Sequence, residues 1–306
     1  MKSIRQGSMH LFRWAGVDVF LHWSWFLVAA YEISAGAGRY SSMGWNVGEY
    51  LALFAIVLMH EYGHALACRQ VGGSADHIVL WPLGGVAYVD PPPRPAATLW
   101  SIAAGPLVNV VLLVVVTVFG MMGRSAGIWA ANPNLHALMR ALWVINVWLL
   151  VFNLLPIYPL DGGQILRSLL WFVLGRARSL MAATIIGFMG VVGLLVVSAR
   201  IHSFWFAVIS VFILMNCWGG LRHARALSRL AKLPHHEGFA CPECQAPPPR
   251  GKFWKCAACG TAFDTFLNQA TCPQCSARFP TTMCVQCRRQ HPVEEWAIAA
   301  VAAPRL

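Results

Sequence analysis

Charged side chains are scarce in this 306-residue chain: they make up 11% of it, against the roughly 25% of soluble domains. Asp and Glu together number only 12. Because a water-facing surface is built from charged side chains, this deficit excludes an ordinary soluble enzyme, a disordered chain and the usual basic type of nucleic-acid-binding domain. Apolar residues reach 58% and the mean hydropathy is +0.56, which together indicate a membrane protein.

Six apolar stretches approach the roughly 20 residues that cross the hydrocarbon core of a bilayer. We predict membrane spans at 17–32, 47–68, 99–122, 141–158, 180–199 and 203–218, with a membrane-edge helix at 165–174. An alternative for the first stretch is a cleaved secretory signal, because a basic start precedes it and small residues follow it. Asp18 and His22 interrupt that stretch and favour an uncleaved span.

The distribution of Lys and Arg around these spans predicts the orientation of the chain. With six spans both termini share one side, which carries twelve flanking cations against four on the other side. Cytoplasmic loops carry the excess of Lys and Arg in membrane proteins. We therefore expect a multi-pass protein of the cell membrane with both termini in the cytoplasm, and we interpret the net charge of +11 as a topology signal.

The second span contains His60, Glu61 and His64 in the pattern H-E-x-x-H. Residues four apart lie on one face of a helix, so both imidazoles can reach one Zn²⁺ while the glutamate acts on its water. The alternative is a chance match with histidines satisfied in a packed core. That alternative is weak in an apolar span, where three polar side chains would be buried without partners.

Asp161 is the candidate third ligand, since catalytic zinc sites usually have three protein ligands. The second and fourth spans run in the same direction, and both motifs lie about 10 Å inside the cytoplasmic ends. Asp161-Gly162-Gly163 is also good turn chemistry. The two interpretations agree, because a turn that ends a helix frees the carboxylate to face a metal.

Several motifs in one order resemble the site-2 protease family of intramembrane zinc metalloproteases, over about residues 11–220. Besides the residues at 60–64, the chain has Gly105-Pro106 with Asn109 in the third span. The pattern N-x-x-P-x-x-x-L-D-G runs from Asn153 to Gly162. The segment LWPLGGVAYV at 80–89 resembles the family's membrane-associated β-hairpin, and LHWSW at 21–25 resembles its first span.

The resemblance implies a role for each matching residue. His60, His64 and Asp161 would bind the catalytic zinc, and Glu61 would be the general base. Asn153 would position substrate or stabilise the oxyanion, with a helix–helix hydrogen bond as the alternative. Substrate contacts would involve Gly84, Gly85 and Asn109, although packing or hydrogen bonding between helices is the favoured interpretation of Asn109.

The family's substrates are single-span membrane proteins, so the resemblance implies regulated intramembrane proteolysis within the lipid bilayer. The alternative is a non-catalytic metal-binding scaffold or transporter that reuses the fold. A binding site alone would not need a base at Glu61, so the intact set of residues favours an enzyme.

Eight of the ten cysteines form four C-x-x-C pairs after residue 240, namely Cys241/Cys244, Cys256/Cys259, Cys272/Cys275 and Cys284/Cys287. This spacing predicts two Cys₄ zinc ribbons, one at 241–259 and one at 272–287. Interleaved ligation, a rubredoxin-like iron and disulfides are the alternatives, the last disfavoured by a reducing cytoplasm. We therefore expect one catalytic and two structural zinc ions.

The sequence thus predicts an all-α polytopic membrane protein with about six transmembrane helices, a short β-hairpin and a small β-rich cytoplasmic tail. The predicted parts are the six-span domain (1–220), a basic juxtamembrane linker (221–239), the two ribbons (240–290) and a C-terminal tail (291–306). Beyond residue 232 cations exceed acidic residues only by seven to five, too little to indicate nucleic acid. We expect a protein or regulatory ligand at the ribbons instead.

Overall fold

The computed structural model describes residues 7–36, 38–81 and 84–298. The chain divides into two compact units: Met1–Pro91 with Pro95–Gly220, and Leu221–Leu306 with the short segment Pro92–Arg94. We describe the first as the membrane unit and the second as the cysteine-rich unit.

Helices form most of the described chain: α1 Trp25–Ala35, α2 Met43–Gln70, α3 Pro95–Ser125, α4 Ile128–Ala131, α5 Pro133–Leu154, α6 Asp161–Ile201 and α7 Phe204–Leu230. Within the described residues, α2, α3, α5, α6 and most of α7 are long and apolar enough to cross a membrane. Many of their apolar side chains are exposed, for example Val111 and Met215, which is the pattern expected where lipid is the solvent. The chain is a multi-pass membrane protein.

A four-stranded sheet accompanies these helices, with strands β1 Ser8–Trp14, β2 Val17–His22, β3 Ser74–Trp81 and β4 Gly84–Asp90 in that order. Strand β2 pairs antiparallel with β1 and parallel with β3, and β3 pairs antiparallel with β4. The hairpin predicted at 80–89 corresponds to the end of β3 and most of β4, while Pro82 and Leu83 lie outside the described residues. The sheet is therefore twice as large as the sequence predicted.

The first predicted span, 17–32, is wrong as a single helix, because it divides into β2 and the 11-residue helix α1. This segment nevertheless runs along the length of α2. At one end Arg69 donates a hydrogen bond to the carbonyl of Ala15, and at the other a Cβ on Gly36 would lie 2.9 Å from Asn46 Oδ1. Residues 46–69 of a helix rise about 35 Å. A strand and a short helix together thus cover the distance expected of one span.

The predicted membrane-edge helix at 165–174 and the fifth span at 180–199 both lie in α6, which spans 41 residues. They are separated by Gly175, whose φ of 77° and ψ of 169° are not helical. A positive φ favours glycine, which lacks the Cβ that would clash. Helix α6 is therefore two helical segments joined at a glycine.

The cysteine-rich unit begins within α7, which continues helically through residues 221–230 of the predicted linker. Two small hairpins follow: β5 Trp254–Lys255 with β6 Ala262–Phe263, and β7 Thr281–Met283 with β8 Gln290–Pro292. The buried aromatic side chains of this unit include Trp254, Phe263, Phe266 and Trp296, which pack with the cysteines in one apolar cluster. This small β-rich unit agrees with the fold class that the sequence predicted for the tail.

Candidate functional site

His60 and His64 lie one turn apart on α2 and point to the same place. Their Nε2 atoms are 3.1 Å apart, and both side chains are buried. The i, i+4 spacing produces this arrangement, since such residues share one face of a helix. The sequence therefore located both imidazoles correctly relative to each other.

Asp161, the first residue of α6, brings a carboxylate to the two imidazoles. Its Oδ2 lies 3.1 Å from His60 Nε2 and 3.3 Å from His64 Nε2. The chain reaches this position by a tight reversal after α5, where a Cβ on Gly162 would lie 2.3 Å from the carbonyl oxygen of Leu154. Only glycine fits so close to the preceding helix end, which explains the residue after Asp161.

These three atoms fit a zinc ion. Two ligands at about 2.0–2.1 Å from a tetrahedral zinc lie about 3.3 Å from each other, close to the three distances observed. Asp161 Oδ2 is buried without a hydrogen-bond partner among the described residues. Both imidazoles donate from Nδ1 to other groups, so in their neutral form the two Nε2 lone pairs and the Asp161 carboxylate converge on one point. A metal cation satisfies such a set of electron-pair donors.

Hydrogen bonds behind the imidazoles hold their Nε2 atoms toward the centre. His60 Nδ1 donates to Asn109 Oδ1, and His64 Nδ1 donates to the carbonyl of Ser101 at 2.9 Å. Asn109 in turn exchanges two hydrogen bonds with Asn146 of α5, at 2.7 and 2.8 Å. Such partners fix the tautomer and orientation of a histidine ligand.

Of the two interpretations of Asn109, the structure fits hydrogen bonding between helices rather than a substrate contact. Its side chain is completely buried, its Oδ1 accepts from His60 and its Nδ2 donates to Asn146. Sequence reasoning missed Asn146 and Ser101 altogether. The signal for Asn146 was a polar amide in the middle of an apolar span, whereas Ser101 acts through its backbone and left no signal.

Glu61 lies between the metal ligands and strand β4. It is buried, and its Oε2 accepts a hydrogen bond of 2.8 Å from the amide of Ala87. A Cβ on Gly85 would come within 2.3 Å of Glu61 Cγ, so glycine is required for this approach. Gly84 has open space around its Cα. The glycine pair predicted to contact substrate therefore lies at the edge of the sheet next to Glu61.

Helix α3 also approaches the centre through a glycine. A Cβ on Gly105 would lie 2.2 Å from His64 Nε2 and 2.9 Å from His60 Nε2. The Gly-Pro motif of the third span thus leaves the space that the ligand atoms occupy. Asn153 lies in the last turn of α5, half-buried, and no described residue makes a hydrogen bond to its side chain.

The cysteines form two groups, but not the two that the sequence predicted. Cys241 and Cys244 lie with Cys284 and Cys287, and Cys256 and Cys259 lie with Cys272 and Cys275. We call the pairs Cys241/Cys244 and Cys284/Cys287 the outer knuckles, and the pairs Cys256/Cys259 and Cys272/Cys275 the inner knuckles. The Sγ–Sγ distances between the two pairs of a group are 3.7 Å for the outer knuckles and 3.6 Å for the inner knuckles. Two thiolates at about 2.3 Å from a tetrahedral zinc would be about 3.8 Å apart, so both sets fit zinc.

The predicted ribbons at 241–259 and 272–287 are therefore wrong in their pairing. Each C-x-x-C is the same local turn, closed by an amide four residues on: Gln245 to Cys241, Gly260 to Cys256, Ser276 to Cys272 and Arg288 to Cys284. Identical turns carry no information about which of them meet. Cysteines of all four pairs pack in one cluster with the aromatic side chains, and there the first pair meets the fourth and the second pair meets the third.

Asp264 connects His236, near the end of the predicted linker, with the loops near the inner knuckles. It accepts hydrogen bonds from His236 and from the amides of Gly251, Phe266 and Leu267. Burial raises the pKa of Asp264, but the amide of Gly251 and the imidazole of His236 outweigh burial, and the pKa lies below its ordinary value. The carboxylate is therefore ionised at neutral pH and organises the loop around it.

Comparison with known proteins gives a consistent assignment. The model of peptidase family M50 matches residues 49–128 and 124–197. A zinc metalloprotease of Methanocaldococcus jannaschii is 32% identical over 59% of this chain and 50% of its own length. A putative zinc metalloprotease of Synechocystis is 30% identical over 74% of this chain and 62% of its own length. This chain thus spans between half and two thirds of these curated relatives.

A solved structure shares the fold as well. The site-2 protease from Methanocaldococcus jannaschii is 27% identical and superimposes with a TM-score of 0.51. The match covers 70% of this chain and 95% of that one.

Proposed function

The chain belongs to peptidase family M50, and we propose that it is a zinc-dependent intramembrane endopeptidase. It would hydrolyse a peptide bond in or near the transmembrane segment of a membrane-anchored protein, as in regulated intramembrane proteolysis. The observation that carries this proposal is the convergence of His60, His64 and Asp161 with Glu61 beside them.

His60, His64 and Asp161 would hold the catalytic zinc. A zinc ion bound by three protein ligands supplies Lewis acidity to a peptide carbonyl and to water. Glu61 directly follows the ligand His60 in sequence and carries a carboxylate that can take up a proton and return it to the leaving amine. Its bond to the amide of Ala87 holds that carboxylate in place.

Strand β4 would present the substrate to this centre. It is the last strand of the sheet, and the amide of Ala87 points away from β3 to Glu61. Successive residues of a strand point their backbone N–H and C=O groups to opposite edges. Gly85 is two residues from Ala87, so its backbone groups face the same edge as the amide of Ala87. An unwound substrate segment can pair with such an edge as an added strand, with the open space at Gly84 admitting its side chains. Asn153 would contact the substrate or its oxyanion from the end of α5.

Burial of the site serves the reaction in a second way. The ligand imidazoles and Glu61 are all less than 7% exposed, so bulk water does not compete for their polar atoms. Electrostatic stabilisation is stronger in such a water-excluded site. The substrate amide would then meet only the water that the site itself admits.

We also propose that the metal centre, both termini and the cysteine-rich unit lie on the cytoplasmic side, as the twelve-to-four distribution of cations supports. The two cysteine groups would hold structural zinc. Large apolar side chains are exposed on this unit at Phe253, Leu267 and Met283, which supports docking of a protein or regulatory ligand.

A cleavage assay tests the proposal. The full chain is reconstituted in lipid vesicles with a single-span fusion protein, and both zinc content and products are measured. We expect cleavage by the wild type and by the control Glu32→Gln, an exposed carboxylate on α1. Glu61→Gln should bind as much zinc but lose cleavage by about 10²-fold or more. Zinc binding without cleavage by the wild type, on several single-span substrates, would favour the non-catalytic scaffold.

A further inference from the structure

Two arginines of α6 have no counter-charge within the described residues. Arg167 Nε and both Nε and Nη1 of Arg176 are buried without hydrogen-bond partners. The described carboxylates form no ion pair with either guanidinium. Both side chains are partly buried, and donor atoms shielded from water normally have hydrogen-bond partners, so an anion that reaches these atoms would satisfy them.

Both guanidinium groups lie against the ring of Trp171. The Cζ atom of Arg167 is 5.9 Å from the ring centroid and that of Arg176 is 5.5 Å from it. The two cations are also close enough to each other for their like charges to interact. The face of the Trp171 ring attracts both cations, and an anion bound between or beside them would offset their mutual repulsion.

The break at Gly175 creates this juxtaposition. In a continuous helix, residues nine apart are on opposite faces and about 13 Å apart along the axis. At Gly175 the backbone leaves the helical region, so Arg176 turns back toward the ring of Trp171 that Arg167 also contacts. The break therefore brings both guanidinium groups to one ring, instead of leaving them on opposite faces of the helix.

The surroundings indicate which anion it is. On the same segment Leu169, Phe172 and Val173 are 50%, 56% and 85% exposed, as expected of side chains that face lipid tails. Tryptophan beside arginine is typical of the membrane interface, where headgroup phosphates lie. Arginine's planar fork matches two oxygens of a phosphate at once.

We propose that Arg167, Trp171 and Arg176 form a binding site for the phosphate of an anionic phospholipid headgroup. The lipid tails pack along the exposed apolar side chains, and the headgroup lies at the Gly175 break. The segment that carries the site begins at the metal ligand Asp161, so a bound lipid stabilises the part of α6 next to the metal centre.

Lipid retention by the full chain tests this site. The protein is extracted in mild detergent from vesicles of phosphatidylcholine with a minority of phosphatidylglycerol, and mass spectrometry counts the bound lipids. We expect selective retention of phosphatidylglycerol and about ten-fold weaker retention in Arg167→Gln and in Arg176→Gln. The matched control is Arg178→Gln, an exposed arginine of the same helix, which should behave as the wild type.

Three results would overturn the proposal. They are equal retention in the wild type and both variants, an equal loss in Arg178→Gln, and displacement of the lipid by inorganic phosphate alone, which would make the site one for a soluble anion. Zinc content reports whether each variant is folded. Should a glutamine variant fail to fold, Arg167→Lys and Arg176→Lys keep the charge without the fork, and each should retain less phosphatidylglycerol than the wild type.

Discussion

In the cysteine-rich unit the first C-x-x-C pair meets the fourth and the second meets the third, which we call nested pairing. This pairing predicts how many metal ions remain bound when particular cysteines are replaced. Within the described residues, three groups of side chains can each hold one ion. Replacing both outer knuckles, Cys241/Cys244 and Cys284/Cys287, by serine empties a single group, so two ions remain per chain. Replacing Cys241/Cys244 and Cys256/Cys259 leaves each cysteine group with only two thiolates, so one ion remains. Half of a Cys₄ site does not hold zinc against a chelator, because four ligands make up the structural site.

The assay is metal analysis of the purified full chain after brief exposure to a mild chelator. Both variants lose four thiolates, so each controls for the general effect of removing cysteine. Sequential ribbons would give the opposite result, with one ion left in the first variant and two in the second. That reversal would refute the nested pairing.

Further predictions concern the supports of both units. Gly105→Ala should lose the catalytic zinc while the cysteine groups stay loaded, because its Cβ would lie 2.2 Å from His64 Nε2; metal analysis and a normal α-helical circular dichroism spectrum check this. Asn109→Ala should weaken catalytic zinc binding by about 10- to 100-fold, measured by chelator competition, because it frees His60 Nδ1. Asp264→Asn should speed amide hydrogen exchange around Gly251 and Leu267, because it weakens the acceptor of their hydrogen bonds by about 1–3 kcal/mol. Since the pKa of Asp264 is lowered, this stabilisation is present at neutral pH and is lost only as the pH falls below the ordinary range of a carboxyl group. Unchanged hydrogen exchange in Asp264→Asn at neutral pH would contradict this prediction.

Sequence reasoning succeeded where a rare residue stood in an unfavourable place. In a chain with 12 acidic residues, Glu61 and Asp161 lie within apolar segments, and the structure brings Asp161 to the two histidines of the motif that contains Glu61. Their spacing on helices settles which side chains share a face. Such short-range rules are reliable because they follow from backbone geometry alone.

The strands before α1 were missed because composition concealed them. Val17 and Val19 are buried while Asp18 between them is half-exposed, which is the alternation of a strand. Within a continuous apolar run that alternation is weak, and length alone favours a membrane helix. The cysteine pairing failed for a different reason, since it depends on contacts between distant segments that the four identical turns do not encode.

We propose that Glu61 activates water for hydrolysis of a peptide bond inside the membrane. The direct measurement is mass spectrometry of the products of a single-span substrate cleaved in water labelled with ¹⁸O. We predict one labelled oxygen at a new carboxyl terminus within or at the edge of the apolar segment for the wild type, and no such product for zinc-loaded Glu61→Gln. The same labelled product at an undiminished rate in Glu61→Gln would contradict this role of Glu61.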